Sequence, residues 1–171
     1  TRDIAERLGI KQGSLYYYFR SKDEALEEVC LFGIRDYVDR LDEIADSDQP
    51  FEAKLLSVLT SHLSSYREKN EALKVHNDER LYLSPAKRTR LKELGTHYRE
   101  TLERMFEEGV ADGTLRETLD CHFAAQSVIG LCNAWGEVIV REPTLDVFAI
   151  IRKCADLLLT GFREQRRSKR D

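Results

Sequence analysis

Apolar positions recur along this chain at the spacing of α-helices from one end to the other. Ile4, Ala5 and Leu8 lie behind Thr1, an N-cap, with Asp3 in the first turn, and Gly9 stops that short helix. Leu15 and Phe19, four apart, mark the inner face of a second. Ser21 and Glu24 make a capping box that opens a helix predicted over 22–45, with Leu26, Val29, Cys30, Gly33, Tyr37, Leu41 and Ile44 at helical spacing. After a polar break at 46–50, a helix is predicted over 51–69 with Leu55, Leu56, Leu59, Leu63 and Tyr66 on one face and His62 among them. A shorter helix over 70–81 follows. Ser84-Pro85 then opens a helix reaching Ala111, on the order of 40 Å long, which Asp112-Gly113 ends. Its stripe is Leu91, Leu94, Tyr98, Leu102, Met105 and Phe106.

The stretch 120–140 differs in kind. Phe123, Ala124, Ala125, Val128, Ile129, Leu131, Cys132, Ala134, Trp135, Val138 and Ile139 surround that helix, so it is expected to be covered on all sides, partly by a second subunit. A last helix, started by Thr144 and Asp146, runs to Phe162 with Val147, Phe148, Ile151, Cys154, Ala155, Leu158 and Leu159 on a broad apolar face. No strand alternation and no internal repeat is legible. The fold class predicted is all-α: a helix-turn-helix head on a helical-bundle body. The expected divisions are 1–45 for head and connecting helix, 46–163 for the body and 164–171 for a charged tail.

The head carries the most specific chemistry. With Leu15 and Phe19 turned inward, Lys11, Gln12, Ser14, Tyr16 and Tyr17 face outward, and Tyr18 is expected half-buried with its hydroxyl at the surface. Gln can pair with adenine edges, while Ser, Tyr and Lys can bond phosphate oxygens. Gly13 lets backbone approach a duplex, and Lys22 sits at a helix N-terminus suited to a phosphate. Two short helices joined this way are the arrangement whose second helix enters the major groove of DNA.

The run Thr1, Asp3-Ile4-Ala5, Gly9-Ile10, Gly13-Ser14-Leu15-Tyr16, Phe19, Ser21-Lys22 resembles the signature of the TetR/AcrR family of bacterial transcriptional regulators. The resemblance implies a homodimer, an all-helical ligand-binding domain and release from double-stranded operator DNA on effector binding. By position, it implies DNA contacts at Gln12, Ser14, Tyr16, Tyr17 and Lys22 and a phosphate contact at Thr1; Lys11, Gly13 and Tyr18 complete the candidate DNA-binding set. Members carry a further helix ahead of the position of Thr1, so such a helix is expected to precede this sequence.

Charge agrees with that division. The chain of 171 residues has a net charge of −4, yet within 1–22 Arg2, Arg7, Lys11, Arg20 and Lys22 outnumber Asp3 and Glu6, a net +3. A basic head on an acidic body suits DNA binding through one end. Cys30, Cys121, Cys132 and Cys154 form no CxxC pair or zinc-spaced cluster and read as small apolar residues in a reducing, cytoplasmic setting. No apolar run is read as long enough to span a bilayer, so no membrane partner is expected.

In the body, Tyr37, His62, Tyr66 and Phe106 are candidates for an effector pocket, with Trp135 as a further ligand candidate. The cations of 87–90 could meet the phosphates of a coenzyme A ester. Val128, Trp135, Phe148, Ile151, Ala155 and Leu159 are candidates for a four-helix dimer interface built from the last two helices, as in the family resembled. His76-Asn77-Asp78-Glu79 reads as a solvated turn rather than a metal site. Neither a metal nor a cofactor is expected, and no catalytic set is legible. The expected function is a transcriptional regulator, a repressor released by a small hydrophobic effector. An acyl-coenzyme A ester is the narrower expectation, suggested by a looser likeness of 77–80 and Trp135 to members that sense such esters. A multidrug-type ligand and a ligand-free dimeric DNA-binding protein are the alternatives.

Overall fold

The computed structural model describes Gly13 and residues 17–162. Six α-helices fill that span: α1 (Lys22–Ala45), α2 (Phe51–Glu68), α3 (Asn70–Glu79), α4 (Pro85–Ala111), α5 (Cys121–Arg141) and α6 (Val147–Phe162), with a 3₁₀ turn at Arg80–Tyr82. No strand occurs among the described residues.

Local chemistry sets the ends. Ser21 Oγ accepts from the Glu24 N–H at 3.0 Å at the head of α1. The Glu24 carboxylate reaches back to the N–H of Arg20, one residue earlier than a capping box would place it. Asp120 and Asp146 accept from Phe123 and Ala149 N–H at 2.9 and 3.0 Å, starting α5 and α6. Gly113, with φ of +80°, turns the chain out of α4 in the left-handed region that a side chain disfavours.

The helices enclose one continuous core. α1 packs on α2, α3 and α4, α2 also on α5 and α6, and α4 on α5. Leu31, Leu41, Leu55, Leu59, Leu63, Leu102 and Phe106 are fully buried at its centre. Phe106 is held between Phe51 and Phe162, each ring 5.2 Å away.

Two registers depart from the sequence reading. The inward face of α1 is Cys30, Leu31, Ile34, Val38, Leu41 and Ala45, whereas Val29 is exposed. Because α1 has neighbours on several sides, a single stripe understates its buried surface. α5 is not closed in all round, since Phe123 is 67% exposed and Ala134 is exposed. It is also long and apolar enough, by length and composition, to cross a membrane, against the expectation that no segment is. Here its inner side, from Ala124 to Ile139, packs into the body.

Candidate functional site

Four of the head's candidate residues are described, and all four are exposed. Tyr17 and Tyr18 are exposed, their rings meeting edge to face at 5.3 Å, and Tyr18 is thus not half-buried as expected. Gly13 and Lys22 are exposed too. Thr1, Lys11, Gln12, Ser14 and Tyr16 lie outside the described residues.

A cavity of about 560 Å³ opens between α1, α2, α3, α4 and α5. That volume falls in the ordinary range of small-molecule pockets. Its buried floor is formed by Ile34 and Val38 of α1, His62 and Tyr66 of α2, Leu73 of α3 and Leu91 and Tyr98 of α4, with Tyr37 and Ile129 half-buried beside them. Its exposed rim carries Asn77, Arg88, Thr89, Lys92 and Gln126, with Arg80 and Arg99 half-buried.

The floor is an aromatic stack with polar tips. Tyr37 lies parallel to His62 at 4.7 Å, and Tyr98 meets both edge-on at 5.3 and 5.5 Å. His62 Nδ1 shares a hydrogen bond of 2.9 Å with the Tyr98 hydroxyl. Tyr66 donates to Asn133 Oδ1 at 3.1 Å. Burial, only partly offset by Asn133, holds His62 down to about 4, and burial with the nearby Arg80 cation does the same to His76. Both imidazoles are therefore neutral near pH 7. Burial also pushes the Tyr66 phenol up to about 12 and Tyr98 well above its usual range.

The position of Tyr66 depends on Gly136. A Cβ there would stand 2.3 Å from the Tyr66 ring, so only glycine lets α5 approach α2 with that ring in place.

The rim owes its charge to helix periodicity. Arg88 and Lys92 are four apart on one face of α4, with Gly95 opening the next turn and Arg99 beyond it. The Arg80 guanidinium donates to the His76 and Asn77 carbonyls at 3.2 and 2.7 Å, which fixes it over the end of α3. The neighbouring cations face the other way. Lys87 lies 3.3 Å from both Asp23 and Glu27 of α1, and Arg90 lies 3.6 Å from Glu27. The Ser84 N–H also donates to Asp23 at 3.3 Å. The basic run 87–90 is thus divided between the cavity and the first turns of α1.

Of the ligand candidates, Tyr37, His62 and Tyr66 line the cavity together. Phe106 sits outside the lining, in the phenylalanine cluster, and half-buried Trp135 packs against the core. The turn at His76–Glu79 is the end of α3, and it brings His76 and Asn77 into the lining rather than lying wholly in solvent. Among the described residues no group of three His, Cys, Asp or Glu side chains could hold a metal. Sequence reasoning did not place Arg80, Lys92, Tyr98, Gln126 or Asn133 at the site; the Arg88, Lys92, Gly95 spacing was the available signal.

The interface candidates divide by burial. Val128, Ile151 and Ala155 are buried within this chain, so they have little surface left for a partner. Phe148 is exposed, and Trp135 and Leu159 are half-buried.

Residues 1–29 match the family model described as bacterial regulatory proteins, tetR family, and residues 48–162 match the one described as tetracyclin repressor-like, C-terminal domain. The HTH-type transcriptional repressor KstR2 of Rhodococcus jostii is 33% identical over 163 residues, covering 94% of this chain and 79% of that protein. The crystal structure of the TetR family transcriptional regulator PfmR from Thermus thermophilus superposes with a TM-score of 0.86 at 23% identity, over 95% of this chain and 88% of the other. FadR from Bacillus subtilis, solved in complex with stearoyl-CoA, superposes with a TM-score of 0.76 at 23% identity, over 92% and 86%. At these identities the two structures speak for the fold.

Proposed function

This chain belongs to the TetR family of bacterial DNA-binding transcriptional regulators, which are not enzymes, and from that premise we propose that it is a cytoplasmic, homodimeric repressor released from its operator by an acyl-coenzyme A ester. The observation that carries the effector reading is the pairing of a buried aromatic floor with a rim of Arg80, Arg88 and Lys92. An acyl group fits the floor, and the phosphates of coenzyme A suit the cations at the rim. The stearoyl-CoA bound by the FadR neighbour supports the same chemistry.

DNA contact is read at the head, at Thr1, Lys11, Gln12, Gly13, Ser14, Tyr16, Tyr17, Tyr18 and Lys22. Two heads of a dimer would read half-sites one helical turn apart. An effector that binds better to a body in which the heads no longer match that spacing lowers DNA affinity by its differential affinity for the two states.

Fluorescence anisotropy of the chain's own upstream DNA, titrated with acyl-CoA esters of several lengths, tests this directly. Free acids and coenzyme A serve as controls. Release at micromolar ester, with free acids and coenzyme A each at least about tenfold weaker, is the expected result. Tight DNA binding that no ester disturbs would remove the effector reading and leave the DNA-binding one standing.

A further inference from the structure

We propose that Tyr66, seated on the bare backbone of Gly136, sets the size of the acyl group that the cavity accepts. This rests on the effector reading above.

Tyr37, His62 and Tyr66 form a near-parallel series in the cavity floor, His62 lying 4.7 Å from Tyr37 and 6.1 Å from Tyr66. The first two have a side chain of α4 against them. Tyr98 meets the Tyr37 ring edge-on and shares a hydrogen bond with His62. Tyr66 instead meets α5 at a residue with no side chain. A Cβ built on Gly136 would overlap Cδ2, Cε2 and Cζ of the Tyr66 ring, so a single phenol ring stands between the cavity and the α5 main chain.

That wall is held on both sides. Cys132 and Ile139, about one turn before and one turn after Gly136, are fully buried and fix α5 in the body. The Tyr66 hydroxyl donates to Asn133 Oδ1 at 3.1 Å, which fixes the tip of the ring. Volume taken from Tyr66 therefore passes to the cavity, because a pinned main chain does not collapse into the space. Volume added at Gly136 acts in the opposite sense. A methyl group there must displace the ring, and the empty space beside the ring is the cavity. An apolar wall of this kind separates ligands that differ by one methylene about tenfold or more.

Calorimetry on the full chain with octanoyl-, dodecanoyl- and hexadecanoyl-CoA tests the proposal in the unmodified protein, Tyr66→Leu, Gly136→Ala and the double variant. The quantity read is the affinity for the longest ester relative to the shortest. Tyr66→Leu is expected to raise that ratio about tenfold and Gly136→Ala to lower it about tenfold. In the double variant the alanine methyl has room, so the ratio should return to within about threefold of that of Tyr66→Leu. A purely structural role for the pair would weaken all three esters alike and leave the ratio unchanged. The proposal is overturned by that result, or by a ratio that moves the same way in both single variants. The double variant decides the matter should Gly136→Ala alone fail to fold, since a ratio there equal to that of the unmodified protein also overturns it. Failure of every ester to bind the unmodified protein would instead overturn the acyl-CoA reading, and this proposal with it.

Discussion

His62 is a base buried where its charged form has no partner. Its neighbours Tyr37, Tyr66, Tyr98 and Asn133 are all neutral near pH 7, and burial depresses its pKa from 6.5 to about 4. Between those values the unfolded chain binds a proton that the folded chain does not. Its contribution to stability is therefore complete above pH 6.5 and declines as pH falls toward 4, by on the order of 3 kcal/mol. His62→Gln can keep a hydrogen bond to Tyr98 without titrating. Urea unfolding from pH 7 to pH 4 should show a smaller loss for His62→Gln than for the unmodified chain. Parallel pH profiles would mean that His62 does not set the acid sensitivity. The residue's place in a helical core was legible from its spacing with Leu59, Leu63 and Tyr66. Its partner was not, because Tyr98 lies 36 residues away and only the packing of α2 against α4 brings them together.

At the scale of elements, α4 touches both the cavity and the start of α1. Arg88 and Lys92 face the cavity, while Lys87 and Arg90 grip Asp23 and Glu27 in the first turns of α1, next to exposed Lys22. Glu27 is 9% exposed, so its charge depends on those two cations more than a surface carboxylate would. A shift of α4 on ester binding would therefore be felt by α1 and the head it carries. Glu27→Gln preserves shape and removes the charge, at roughly 1–2 kcal/mol of stability. The ester should bind the DNA-free variant as before, whereas the factor by which DNA weakens ester binding should fall several-fold. Calorimetry with and without operator DNA measures that factor, and an unchanged factor would place the coupling elsewhere. Over the described residues 22–162, helix number and order were readable because caps, Pro85 and Gly113 act locally. The division of the basic run 87–90 was not, since helical spacing separates faces but does not say which neighbour each one meets.

At the scale of the whole molecule, the described residues of α5 and α6 leave large apolar side chains exposed. Along α5 the exposed or half-buried positions Phe123, Ser127, Gly130 and Ala134 follow one stripe, and Phe148 near the start of α6 is also exposed. Phe123 and Phe148 each leave about two-thirds of their surface open, an apolar load that a second copy would cover. Periodicity marked both helices as apolar beyond the needs of a surface helix, but it could not divide that excess. Val128, Ile151 and Ala155 went to the chain's own core, and Phe148 was left outside. The two sets should therefore respond differently to a charge. Val128→Asp places an unpaired carboxylate in the core and should cost several kcal/mol, enough to unfold the chain. Phe123→Asp with Phe148→Asp should cost little within one protomer and instead yield a folded monomer. Sedimentation velocity reports the mass, and circular dichroism the fold. Such a monomer should also bind a palindromic operator no better than an isolated half-site, because the two heads no longer share one body. A double variant that remains a folded dimer would show that the subunits meet through another face.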